Sequence, residues 1–148
     1  MNLIYKIIVV LQLIFLSSCF HREIELNCTT PSIIECELHF EYNSNGFQKT
    51  NFAITKKSDI QYVCSLIQKS ESSVQSEKLK KIARIELTFS CQNSTYCFLI
   101  YITSNYGTLI DWYGENCDTG HLSGRFRNNE LGKYFLNYLA ANGIILEK

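Results

Sequence analysis

The chain has 148 residues, with 14 Lys and Arg against 14 Asp and Glu, and its formal net charge is zero. That balance excludes the concentrated positive charge that marks nucleic-acid-binding domains. With 46% hydrophobic residues and nine each of Tyr and Phe, the length suits one domain with a core of its own.

The chain begins MNLIYKIIVVLQLIFLSSCF. One cation, Lys6, precedes an apolar run from Ile7 to Leu16 that only Gln12 interrupts, and Ser17, Ser18 and Cys19 follow. A charged start, a short apolar stretch and small residues at its end are the order of a secretion signal. A membrane-spanning helix needs about 20 apolar residues to cross the ~30 Å hydrocarbon core, and this run is too short for that. Leu16-Ser17-Ser18-Cys19 resembles the lipobox of bacterial lipoproteins, a resemblance confined to residues 1–19. It implies removal of residues 1–18, a diacylglycerol on the Cys19 sulfur and acylation of the new amino group. Phe20 in place of Asp implies, by resemblance to enteric sorting, the outer membrane where the host has one. The rival is ordinary cleavage after Cys19, with Ser17 and Cys19 as the small residues, which gives a secreted protein.

Residues 19–32 are expected to be a tether and residues 33–148 a single domain. About a dozen flexible residues span roughly 20 Å root-mean-square, so the domain is expected close to the membrane. Ile34, Cys36, Leu38, Phe40 and Tyr42 alternate with Glu35, Glu37, His39 and Glu41, which predicts a half-buried strand. Asn43-Ser44-Asn45-Gly46 is a turn signal, and a second strand is predicted over 47–55. Ser58-Asp59 offers an N-cap to a helix over 59–69, with Ile60, Val63, Cys64 and Ile67 on its apolar side. Residues 70–81 are polar and read as a loop or a helix extension.

Residues 83–91 alternate again and predict a third strand. Residues 96–103 are apolar on both faces, as a central strand requires. A turn at 104–107 leads into a fifth strand over 108–113, and residues 114–127 read as irregular. Asn128 or Asn129 caps a last helix whose stripe is Leu131, Tyr134, Phe135, Tyr138 and Leu139, with Gly143 as its stop. The order ββαβββα predicts an α+β domain, an antiparallel sheet with helices packed on one face.

Seven cysteines stand at 19, 28, 36, 64, 91, 97 and 117. With Cys19 lipidated or removed six remain, and an oxidising compartment permits three disulfides. Cys91 and Cys97 flank a tight connection and are the first expected pair. Cys28–Cys36 and Cys64–Cys117 come next. These spacings miss the short C-x(2–4)-C pattern of structural zinc, and no redox C-x-x-C is present. No metal and no cofactor is expected.

No P-loop, G-x-G-x-x-G, H-E-x-x-H or G-x-S-x-G motif occurs. Lys78, Lys80 and Lys81 read as a solvated cluster rather than a phosphate or headgroup contact. Glu35, Glu37 and Glu41 share the polar side of the first strand. They are expected to form a solvated face, the alternatives being paired acid–base groups or an acidic docking surface. His21 lies in the tether and His39 on the polar strand face. His121, with Asp111, Glu115 or Asp118, is the candidate general base, but no nucleophile accompanies it.

Trp112 and Tyr113 stand near glycines at a strand end. The many Phe and Tyr residues make a core role the first expectation for them, and a binding hot spot the second. Arg125 and Arg127 share one side if that stretch is extended, and would join such a surface. Asn27-Cys28-Thr29 and Asn93-Ser94-Thr95 match the N-glycosylation pattern. The expectation is a non-enzymatic envelope lipoprotein, held to the membrane through Cys19, that binds or inhibits a protein as immunity proteins and inhibitors do. The alternatives are a small envelope hydrolase using His121 and a eukaryotic secreted, glycosylated factor.

Overall fold

The computed structural model describes residues 24, 26, 31–41, 47–73, 80–103, 107–117, 122–144 and 146. The expected secretion signal, Cys19, His21, Cys28 and the expected turn at 43–46 lie outside these residues, as do the side chains of Glu41, Phe47 and Glu115. Among the described residues the chain order is β1 (Ile33–Glu41), β2 (Phe47–Ile54), α1 (Lys57–Gln68), β3 (Glu71–Ser72), β4 (Lys81–Ser90), β5 (Thr95–Thr103), β6 (Thr108–Glu115), β7 (Gly124–Arg127) and α2 (Asn129–Ala141). The strands form one sheet in the order β2-β1-β4-β5-β6-β7-β3, and every pair is antiparallel. The chain is therefore an α+β domain, with two strands more than its sequence pattern announces. No helix among the described residues is long and apolar enough to cross a membrane.

Strand alternation sorts the two faces. Leu38, Ile85, Ile100, Ile110 and Phe126 stand side by side across β1, β4, β5, β6 and β7, and all five are fully buried. Neighbouring rows add Cys36, Leu87 and Phe98, and then Ile34, Phe89 and Tyr96. Ile60, Val63 and Ile67 of α1 and Leu131, Phe135 and Leu139 of α2 complete this core. Each such side chain contributes roughly 1.5–3 kcal/mol by leaving water, so this layer holds the sheet to the helices.

Two contacts fix the helices. Asn128 caps α2, its Oδ1 accepting from the Glu130 and Leu131 amides at 3.0 and 3.2 Å. Its Nδ2 donates to the Leu66 carbonyl of α1 at 2.6 Å, so one side chain starts the second helix and closes an orphan carbonyl of the first. At Gly132 the backbone approaches β6 so closely that a Cβ would lie 1.8 Å from Thr108 Oγ1. The first helix departs from its expected start: it begins at Lys57, Lys56 is its N-cap residue without a side-chain bond, and Asp59 sits in the first turn.

β7 and β3 lie in stretches expected to be irregular or looped. β7 carries one core residue, Phe126, which meets Ile110 across the sheet. β3 is two residues long, and the Ser73 amide extends its pairing by donating to the Arg125 carbonyl at 2.8 Å. Two described residues of the expected tether meet the core. Ile24 is 4% exposed and belongs to the core, and Leu26 packs against it.

The disulfides correct the sequence expectation. Cys97 bonds Cys117, with Cα atoms 5.0 Å apart, and not Cys91. The Cys91 amide donates to the Ser94 carbonyl and Ser90 pairs Thr95, so the turn is tight and Cys97 stands opposite Thr88. Three strand steps separate that position from Cys91, about 10 Å, beyond the ~7 Å Cα limit of a disulfide. Cys91 is nevertheless disulfide-bonded. Cys36 and Cys64 are free thiols, which rules out the Cys28–Cys36 and Cys64–Cys117 pairs. Alternation turns Cys36 into the core, where burial pushes its thiol far up and its Sγ faces the Ile34 carbonyl at 3.8 Å. Burial pushes Cys64 up to about 11.

Candidate functional site

No described helix covers the other face of the sheet, and there the chemistry-bearing side chains gather. One row across it is Lys49, His39, Arg84, Tyr101, Leu109 and Arg127. The next is Asn51, Glu37, Glu86, Leu99, Asp111 and Arg125. Residues far apart in sequence thus become neighbours through strand register alone, at about 4.5–5.5 Å between opposite residues.

Asp111 anchors the β6–β7 side. It is 3% exposed, and Arg125 holds it by two bonds, Nε to Oδ1 at 2.5 Å and Nη2 to Oδ2 at 2.7 Å. The hydrogen bond to Asp111 holds the Arg125 guanidinium above its ordinary value. Burial raises the Tyr101 and Tyr113 phenols, and the Asp111 charge adds to it. Both therefore remain neutral O–H donors beside a fixed ion pair.

A second network occupies β2, β1 and β4. His39 Nε2 and Glu37 Oε1 are 2.6 Å apart, which requires a proton on Nε2, so the ring donates to the carboxylate. Lys49 Nζ meets the other oxygen of Glu37 at 2.6 Å. That bond from Lys49 is the main reason why the Glu37 carboxyl lies below its ordinary value. Arg84 Nη2 donates to Glu86 Oε1 at 2.6 Å, and His39 Nε2 lies 3.5 Å from the same oxygen. Ligand atoms of Glu37, His39 and Glu86 lie within 4.8 Å of one another, a spacing that a divalent ion can bridge. Lys49 and Arg84 already neutralise the two carboxylates, so the cluster is satisfied as it stands.

The sequence candidates divide. Tyr113 and Arg125 share the helix-free face, and Arg127 follows on it at the β3–β7 edge, exposed and opposite Glu71 and Leu109. Trp112 does not join them. It takes the opposite parity, is half-buried, packs against the core and lies 6.4 Å from the Phe126 ring, which turns it away from this face. The acidic row is divided too: Glu35 is exposed, whereas Glu37 is engaged by Lys49 and His39. Asn93 is exposed beside the tight turn from β4 to β5. His121, Asp118, Lys78 and Asn27 lie outside the described residues.

Sequence reading missed the networks themselves. Glu37 and His39 stand two apart on a strand, which signals a shared face. Glu86, Arg84 and Lys49 join them only once the β2-β1-β4 register is known. The turn after β6 is a further fixed point beside this face. Asn116 and Cys117 take left-handed φ values of 61° and 57°, which non-glycine residues adopt at a cost. The Cys97 disulfide and the Asn116 amide, which donates to the Thr95 carbonyl at 2.6 Å, hold them there. No family model matches the chain, and neither a curated protein nor a solved structure matches it.

Proposed function

We propose that this protein is a membrane-anchored envelope lipoprotein that binds, and by binding inhibits or protects, a protein partner through the helix-free face of its sheet. One observation carries the reading: the polar groups on that face hold one another rather than standing poised for chemistry. Asp111 is clasped by Arg125, Glu37 by Lys49 and His39, and Glu86 by Arg84. A carboxylate held below its ordinary value makes a poor general acid near neutral pH. Such paired charges among tyrosines form a preordered, amphipathic surface, and Tyr and Arg are the residues that carry binding energy at protein interfaces.

The anchor is the Cys19 of the lipobox-like signal. Burial of Ile24 supports a short connection, since residues 19–23 alone then separate the lipid from the core. Five residues reach at most about 17 Å, so the partner would be one that works at, or passes through, the membrane surface. A photo-crosslinking residue at Tyr113 of the intact lipoprotein, compared with one at Lys133 on α2, tests the face. A discrete protein adduct in the native envelope from position 113 and not from 133 supports the proposal. Equal adducts from both, or none from 113, would overturn it.

A further inference from the structure

We propose, resting on the binding-module reading, that His39, Lys81, Arg84 and Tyr101 form a carboxylate-binding pocket that receives an acidic side chain of the protein partner. These residues, with Phe40, Ile82 and Ala83, line a surface cavity of about 520 Å³ where β1 ends and β4 begins. Among the described side chains no carboxylate lines it, although Glu37, Glu86 and Asp111 stand one row away.

A bulge makes this pocket. Ala83 pairs Ile102 while Lys81 pairs Thr103, so β4 spends one extra residue between them. Without it, Lys81 would keep the parity of Ala83 and point at the core. With it, Lys81 turns to the face that carries Tyr101, and its Nζ lies 3.7 Å from the centroid of the Tyr101 ring. Bulges that re-aim one side chain are a recurrent feature of binding sites. Lys81 has no carboxylate within salt-bridge reach among the described residues. Arg84 spends Nη2 on Glu86, and its buried Nε has no hydrogen-bond partner among them. A cation lying on an aromatic ring, beside a guanidinium with unspent donors and a neutral phenol, offers an incoming carboxylate several donors at once.

The lining is cationic, aromatic and without a described carboxylate, which favours an acidic side chain of a protein over an anionic group that makes no aromatic contact. The chain enters β1 at Ser32, whose amide bonds the Ser90 carbonyl, and the pocket lies near Phe40, about 25 Å along the strand. It therefore opens at the end of the sheet opposite to that entry.

The test uses the isotope-labelled mature chain in detergent micelles, titrated with acetylated hexaglutamate while backbone amide shifts are followed. The expected result is saturable shifts at Lys81, Ala83, Arg84 and Tyr101, retained in Lys81→Arg and weakened at least about tenfold in Lys81→Glu. Affinity should fall as salt is raised. Absence of saturable shifts at these residues, or equal affinity in Lys81→Glu, overturns the pocket. So does a response to inorganic phosphate without one to the peptide, which would show a small-anion site. Lysine-dependent binding to phosphatidylglycerol vesicles without peptide binding overturns it in favour of a headgroup site. Lys81→Glu is exposed and should leave the amide spectrum otherwise intact. If it also retains the photo-adduct from position 113, the pocket falls while the wider binding face stands.

Discussion

Asp111 and Arg125 face each other across β6 and β7 and close a two-point ion pair, with the carboxylate buried and the guanidinium about one-third exposed. The pair ties the shortest core-bearing strand, β7, to the rest of the sheet and fixes the polar centre of the proposed binding face.

Removing the carboxylate leaves Arg125 without its partner. For a fully buried pair this costs about 3–5 kcal/mol. Because Arg125 is partly solvated, Asp111→Ala is expected to cost about 2–3 kcal/mol, read from the urea midpoint. Arg125→Ala strands a buried carboxylate and should cost at least as much. If both substitutions leave the midpoint unchanged, the pair is not holding β7.

Glu37 makes stability depend on acid. Its folded pKa is depressed, chiefly by the Lys49 hydrogen bond, from an ordinary value of 4.5. The stabilisation is therefore fully present above that value and is lost as pH falls through the lower folded one. Lys49→Ala should bring the carboxyl back towards its ordinary value in an NMR titration and remove that part of the acid dependence. An unchanged titration would show that Lys49 does not hold Glu37.

The meeting of α2 and β6 leaves no room at Gly132. Gly132→Ala should destabilise by about 1–3 kcal/mol, the usual cost of forcing extra volume into a packed contact. The Thr108 hydroxyl is the atom in the way, and it has no hydrogen-bond partner among the described residues. Adding Thr108→Ala should recover part of the loss in thermal unfolding. Additive losses in the double variant would contradict the contact.

The cysteine chemistry gives a labelling pattern. Cys36 and Cys64 are free and Cys97–Cys117 is bonded, so in the unfolded, non-reduced protein Cys36 and Cys64 should both alkylate while Cys97 and Cys117 should not. In the folded protein both should alkylate slowly at pH 8, Cys36 the slower, because burial disfavours both thiolates. Opening Cys97–Cys117 with a Cys97→Ala, Cys117→Ala pair should cost about 3 kcal/mol, as expected for a loop of this size.

The sequence announces the elements with regular periods. β1 and β4 alternate without a break, β5 is apolar throughout, and the α2 stripe begins after Asn128. β7 escapes because four residues with one apolar side chain make no period, and β3 because two residues make none. The disulfides escape for a related reason. Spacing suggests a hairpin bridge, but only the Ser90–Thr95 register shows that Cys97 stands opposite Thr88. The site was legible in part. Arg125 and Arg127 do share a face with Tyr113, whereas Trp112 parts from Tyr113 because neighbouring strand residues point to opposite faces. The pocket around Lys81 depends on a one-residue bulge, which no alternation pattern records.

The proposed lipid anchor at Cys19 has a chemical check in Cys91. Cys91 is disulfide-bonded, Cys97 and Cys117 bond each other, and Cys36 and Cys64 are free. A lipidated sulfur cannot form a disulfide, so a lipid on Cys19 and a bond from Cys19 to Cys91 exclude each other. Peptide mass mapping of the non-reduced protein isolated from its native membrane decides between them. The expected result is an N-terminal peptide that begins at Cys19 and carries diacylglycerol. A Cys19–Cys91 disulfide, or a mature chain that begins at Phe20, would contradict it.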